Sequence, residues 1–108
     1  IISQLVKDGY MHGVDIPLTE AFEAGMLFAR AEGIIPAPES CHAIAATIRE
    51  AKKATEEGKH TVLLFCLSGH GLIDMPSYES YLNGDLQDYR VSDEEINQYL
   101  KCVPEVEM

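Results

Sequence analysis

Two clusters of residues in this sequence have the right types and spacing for chemistry. The first closes an apolar run: Thr61-Val62-Leu63-Leu64-Phe65-Cys66-Leu67 is followed at once by Ser68-Gly69-His70-Gly71. Glycines on either side of a histidine let the backbone turn sharply and approach a ligand closely. A serine at the end of an apolar strand is expected to be near-buried, so the Ser68 hydroxyl needs a partner, either turn backbone or a ligand. The second cluster is Glu39-Ser40-Cys41-His42, at the start of a helix, where the helix dipole and free N–H groups favour a carboxylate. Plain helix capping is the simpler reading of Glu39 and Ser40 from the residues alone, and His42 reads as a polar packing residue. His42, Cys41, Cys66 and His70 have no ligand spacing, so no metal site is expected. A hydrolase elbow, Gly-x-Ser-x-Gly, is excluded because Cys66 stands where its first glycine belongs. The residues thus give a site, Glu39 with Ser68, Gly69 and His70 facing one cavity at the carboxyl edge of a sheet. They do not give a reaction.

The elements that must hold this site follow from hydrophobic spacing. Thr61–Leu67 has no polar face, which predicts a buried inner strand of a parallel sheet. Ile1–Lys7 reads as the end of a helix, stopped at Asp8-Gly9. The connector Tyr10–Ile16 pairs weakly at best. A helix is predicted over Leu18–Ala31, with Thr19 as N-cap, Glu20 and Glu23 in its first turn and Gly33 as its stop. Pro36 and Pro38 stiffen the next segment. A second helix is predicted from about Cys41 to Glu57, burying Cys41, Ile44, Ala45, Ile48 and Ala51. A short helix capped by Asp74 runs through Tyr81, with Pro76 in its first turn. Ser92-Asp93-Glu94-Glu95 is a capping-box pattern that opens a last helix to about Lys101. The fold class expected is α/β, a fragment of a three-layer parallel sheet, mostly helical with one strong buried strand. One strand is not a sheet, so its neighbours are expected in a larger parent domain. The opening Ile1-Ile2-Ser3, apolar and without an initiator Met, gives the same impression of a piece of something longer.

The 108 residues carry 18 acidic against 8 basic side chains, a formal net charge of −10. That balance argues against nucleic acid and against an anionic membrane surface, since both demand a basic patch. No apolar run approaches the roughly 20 residues of a membrane span, and the start lacks the pattern of a signal peptide. Three cysteines without a Cys-x-x-Cys pair suggest neither a disulfide frame nor structural zinc. Reduced thiols in a cytoplasmic protein are the simplest expectation.

The run Glu32-Gly33-Ile34-Ile35-Pro36-Ala37-Pro38-Glu39-Ser40-Cys41-His42-Ala43-Ile44, followed by Leu67-Ser68-Gly69-His70-Gly71-Leu72, resembles the C-terminal part of the tryptophan synthase β-chain. The likeness is to its second, divergent branch: Pro-Ala-Pro-Glu-Ser and Ser-Gly-His-Gly-Leu are similar to that branch, whereas the main branch tends to Pro-Ala-Leu-Glu-Ser and Ser-Gly-Arg-Gly-Asp. Glu20-Ala21-Phe22-Glu23-Ala24, Leu27-Phe28-Ala29-Arg30 and Tyr78-Glu79-Ser80-Tyr81-Leu82-Asn83-Gly84 also match. Residues 1–84 hold the core motifs and 85–108 a looser tail, all in a single segment.

What the resemblance implies is a pyridoxal 5'-phosphate enzyme of fold type II that replaces the hydroxyl of serine (or the phosphate of phosphoserine) with indole. Ser68 matches the serine that hydrogen-bonds the cofactor's pyridine nitrogen, Gly69 the glycine lying against the ring, and Glu39 the acid–base glutamate. His70 stands where the main branch has arginine and is assigned an orienting role. The Schiff-base lysine, its neighbouring histidine and the phosphate loop precede this segment in the family order, so the segment alone is expected to be inactive. The resemblance further implies a cytoplasmic, homodimeric parent that uses free indole or pairs with an α-chain. Alternatives on the same scaffold are a serine or threonine deaminase and a cysteine synthase-like lyase, and, in another class, a stand-alone interaction module.

Overall fold

The fold is built on the crossing of two helices, and its reason lies in small residues. A computed structural model describes residues 1–103. Among these residues the helices in chain order are α1 (Ile2–Lys7), α2 (Leu18–Glu32), α3 (Pro38–Glu56), α4 (Met75–Leu82) and α5 (Asp93–Leu100), with a 3-10 turn at Gly71–Ile73. Along α2, Ala21, Phe22, Ala24 and Gly25 are buried. Along α3 the buried residues are Ser40, Cys41, Ile44 and Ala45, the spacing of three and four that defines one helix face. Gly25 allows the closest approach: a Cβ there would lie 2.5 Å from the Cys41 Sγ and 3.1 Å from the Tyr78 hydroxyl. Phe22 fills the rest of the core, edge-on to Tyr78 at 5.0 Å and stacked on Tyr81 at 5.6 Å. Aromatic pairs of this kind each add about 0.5–1.5 kcal/mol beyond area burial. At the surface Arg49 of α3 grips both carboxylate oxygens of Glu20 on α2.

The helix boundaries differ from expectation where capping is concerned. α3 starts at Pro38, not Cys41, because proline at the first helical position gives up no hydrogen bond. Glu39 and Ser40 therefore sit inside the first turn. Thr19 is not the N-cap of α2, which begins at Leu18 with no cap bond from a neighbouring side chain. Instead Thr19 donates its N–H, at 2.9 Å, and its hydroxyl to the carboxylate of Asp88, 69 residues on. The Thr19 hydroxyl and N–H hold that carboxyl below its usual range. Asp74 precedes α4, also without a side-chain cap bond. The capping box at α5 forms as expected, with Ser92 and Glu95 bonded reciprocally, while residues 104–108 of the tail lie outside the described residues.

The expected buried strand is absent. Among the described residues there is no β-strand, and Thr61–Leu67 runs as an irregular segment with Val62 90% and Leu64 97% exposed. Only Phe65 is half-buried, against Phe28 with ring centroids 6.0 Å apart. A strand is a property of a pair, because its N–H and C=O groups need a neighbour about 4.8 Å away, and neither Tyr10–Ile16 nor any other described segment supplies one. Ala51, expected in the core, is likewise exposed. The radius of gyration is 17.2 Å, against about 13 Å for a compact domain of this length. No helix among the described residues is long and apolar enough to cross a membrane.

The tight crossing makes a prediction. Gly25→Ala gains helix propensity of about 1 kcal/mol but meets Cys41, an overpacking penalty of about 1–3 kcal/mol. Net destabilisation is expected in urea unfolding, and the same change in a Cys41→Ala background should be neutral or stabilising. Equal effects in both backgrounds would show that the contact does not limit the crossing.

Candidate functional site

Two peptide segments cross beside the α2–α3 core, and every link between them is a specific hydrogen bond or contact. The first is Ile35-Pro36-Ala37 running into the start of α3; the second is Ser68-Gly69-His70-Gly71. Gly71 donates its N–H to the Ile35 carbonyl at 2.9 Å. It must be glycine, since an added Cβ would fall within contact distance of the Pro36 carbonyl oxygen, Ile35 and the Tyr78 ring. Gly69 has φ +69°, a left-handed turn that glycine adopts without strain, and a Cβ there would reach only the Ala37 methyl, at 3.5 Å.

Ser40 is the centre of the crossing. It is 3% exposed, the buried polar side chain of the described residues. Its hydroxyl donates to the Ser68 carbonyl at 2.6 Å and accepts the Ser68 N–H at 3.2 Å. With its one proton given to that carbonyl, it cannot also donate to the Ser68 hydroxyl 3.5 Å away. The Ser68 side chain is exposed, contrary to the near-buried position expected, and its own proton is the one left for that long contact, with the Ser40 oxygen accepting. A helix cap is what the sequence predicts for Ser40, but Ser40 makes no cap bond and serves the other segment instead.

A second anchor runs through the core. Tyr78 donates its hydroxyl to the Pro36 carbonyl at 2.6 Å. A phenol has one proton, so the 3.3 Å contact between Tyr78 and Cys41 must be the thiol donating to the phenol oxygen. The relay is therefore Cys41 to Tyr78 to Pro36, fully enclosed. Burial pushes the Cys41 thiol above its ordinary range and pushes the Tyr78 phenol up strongly. Nothing in the local sequence marked Tyr78 for this task.

Of the expected site residues, the structure joins Ser68, Gly69 and His70 on one turn and sets the α3 start against it. Glu39 is exposed on that first turn, one residue from Ser40. His70 accepts the Leu72 N–H on Nδ1 at 3.3 Å and so caps the 3-10 turn, which leaves Nε2 to carry the ring proton. A groove of about 520 Å³ lies elsewhere, lined by α2 and α3 side chains including Arg30, Arg49 and Lys52, and includes neither Glu39 nor Ser68. The exposed turn and α3 start present an exposed hydroxyl, a bare glycine and a carboxylate.

No family model matches the chain. It is 52% identical over 103 residues to a protein of Pyrococcus furiosus named tryptophan synthase beta chain 2, a match that takes in 95% of this chain and 23% of that protein. Over 88 residues it is 54% identical to the tryptophan synthase beta chain of Thermococcus onnurineus, covering 82% and 20%. Over 78 residues it is 59% identical to tryptophan synthase beta chain 2 of Thermotoga maritima, covering 72% and 18%. The chain spans about a fifth of the length of the curated relatives it matches.

The enclosed relay predicts alkaline lability. Both groups have folded pKa values above their unfolded ones, so the folded state holds its protons longer and stability is lost as pH rises. The unfolding midpoint should be flat near neutrality and decline once the unfolded thiol begins to ionise, near pH ~8.5, and further as the unfolded phenol does, near ~10. Cys41→Ala should remove the first decline. A midpoint unchanged up to pH ~10 contradicts the relay.

Proposed function

We propose that this chain, a C-terminal segment of the tryptophan synthase β-chain family, supplies the ring-nitrogen and acid–base side of an enzyme that converts L-serine and indole to L-tryptophan and water. The observation that carries the reading is the bond between Ser40 and Ser68. It brings Pro36-Ala37-Pro38-Glu39-Ser40 against Ser68-Gly69-His70-Gly71 from 28 residues apart. These are the two motifs that the resemblance assigns to one cofactor site.

The residues present suit pyridoxal phosphate. A flat ring needs an open face, which Gly69 leaves, and its nitrogen needs a donor, which the exposed Ser68 hydroxyl would provide in place of its long contact to Ser40. The cofactor, when bound, supplies the electron sink that loosens the bonds at the α- and β-carbons of serine. Ser68, a neutral donor, would bind the ring nitrogen without protonating it and so limit that sink to elimination and replacement. Glu39, exposed on the first turn of α3, would protonate the departing hydroxyl and take up the proton that indole releases. His70 holds the 3-10 turn through Leu72 and thereby the far end of the glycine loop. The Schiff-base lysine and the phosphate loop would come from the remainder of the β-chain.

The fold proposed for the whole is the three-layer parallel sheet of fold type II, in which Thr61–Leu67 finds its missing neighbours. Its exposed Val62 and Leu64 are the residues that a covering layer would bury. A homodimeric cytoplasmic parent, using free indole or pairing with an α-chain, completes the reading. The deaminase, cysteine synthase-like and stand-alone alternatives find no support in the relatives named above.

Steady-state assay of the full-length β-chain containing this segment tests the assignments. Glu39→Gln should lower kcat by about 10²–10⁴-fold while the visible absorbance of the bound cofactor persists. Ser68→Asp should divert turnover toward side reactions that need a protonated ring. Full activity in Glu39→Gln, or unchanged partitioning in Ser68→Asp, would remove the corresponding role.

A further inference from the structure

We infer that Ser40 is a positioning residue of this site: its buried hydroxyl fixes the Ser68 backbone so that the Ser68 hydroxyl is aimed at the cofactor's ring nitrogen. The inference rests on the assignment of Ser68 proposed above and adds a residue to it. Three observations carry it. Ser40 engages both the N–H and the C=O of the same residue, Ser68, so one side chain restrains both torsions that aim the Ser68 Cβ. Its single proton is spent on the 2.6 Å bond to the Ser68 carbonyl, so the 3.5 Å contact between the two hydroxyls has Ser68 as donor, a long contact that a ring nitrogen would replace. It also sits in the first turn of a 19-residue helix that is packed on α2, a rigid mount, whereas Ser68 lies on an irregular segment with no ladder of its own.

The carboxylate next to Ser40 is Glu39, so one helical turn would hold both the acid–base group and the residue that aims the ring-nitrogen donor. The two functions are then locked in register, and a shift of α3 moves both together. Capping does not explain Ser40, because the helix start makes no side-chain cap bond.

The test uses the full-length β-chain with its cofactor and three variants: Ser40→Ala, Ser68→Ala and their double. The readouts are the dissociation constant of pyridoxal phosphate, by equilibrium dialysis of the apoenzyme, and the ratio of pyruvate to tryptophan formed from serine and indole. Ser40→Ala is expected to weaken cofactor binding about tenfold, the worth of one hydrogen bond. It should also raise the pyruvate share in the same direction as Ser68→Ala. The double variant should be little worse than Ser68→Ala alone, since both act through one group. A Ser40→Ala protein that melts earlier but keeps the wild-type dissociation constant and product ratio overturns the proposal and leaves the Ser68 assignment standing. A Ser68→Ala protein with wild-type values of both removes the assignment itself, and the proposal with it. Should Ser40→Ala fail to fold, Ser40→Cys keeps the volume with a weaker donor. Intermediate values of both readouts then support the proposal and wild-type values overturn it.

Discussion

A phenol proton that can be given only once sets much of this structure. Tyr78 spends it on the Pro36 carbonyl, which obliges the Cys41 thiol to act as donor to the phenol oxygen. Three segments are thereby tied in one buried relay: α3 through Cys41, α4 through Tyr78 and the proline segment through Pro36. The relay fits because Gly25 of α2 leaves room at the crossing. Removing the Tyr78 hydroxyl strands the buried Pro36 carbonyl, which costs about 1–3 kcal/mol, a large share of the stability of a small fold. The short path from α2 to the start of α3 is thus fixed at its middle by chemistry, not only by proline stiffness.

Everything proposed about the site is downstream of that anchor. With Pro36 held, Ile35 presents its carbonyl to Gly71 and Ser40 reaches the backbone of Ser68. Both glycines at the crossing have a reason to be glycine. Gly71 is hemmed in by Pro36, Ile35 and Tyr78, whereas Gly69 is left-handed and nearly free of neighbours. One is small because protein crowds it. The other leaves an open face beside the exposed Ser68 hydroxyl, which is where the proposed flat aromatic ring would find both room and a donor.

Much of the helical framework was legible in the sequence because its signals are local. The Ser92–Glu95 capping box, the Gly33 stop and the alternating buried face of α3 need only neighbours within a turn. The failures share one cause, that the deciding partner is far away in sequence. Thr61–Leu67 has the composition of a buried strand, but pairing needs other strands, and the described residues have none. Thr19 has the look of a cap, but its carboxylate partner Asp88 is distant. Ser40 was the recoverable case: continuing the buried stripe of Ile44 and Ala45 back one turn places Ser40 and Cys41 on the core face. A hydroxyl there requires a buried partner. Tyr78 gave no such hint, since its acceptor and its donor lie 42 and 37 residues away.

The claim on which the rest depends is that the two motifs are joined by Ser40 and Ile35 within this chain, without help from a sheet. Amide hydrogen exchange in the 108-residue chain, read residue by residue, addresses it directly. The Ser68 and Gly71 amides, which bond to Ser40 and Ile35, should exchange at least about tenfold slower than those of Val62 and Leu64, which belong to the exposed run. Uniform exchange at unstructured rates from Thr61 through Gly71 would contradict the account, because the crossing would then not hold the glycine loop against α3.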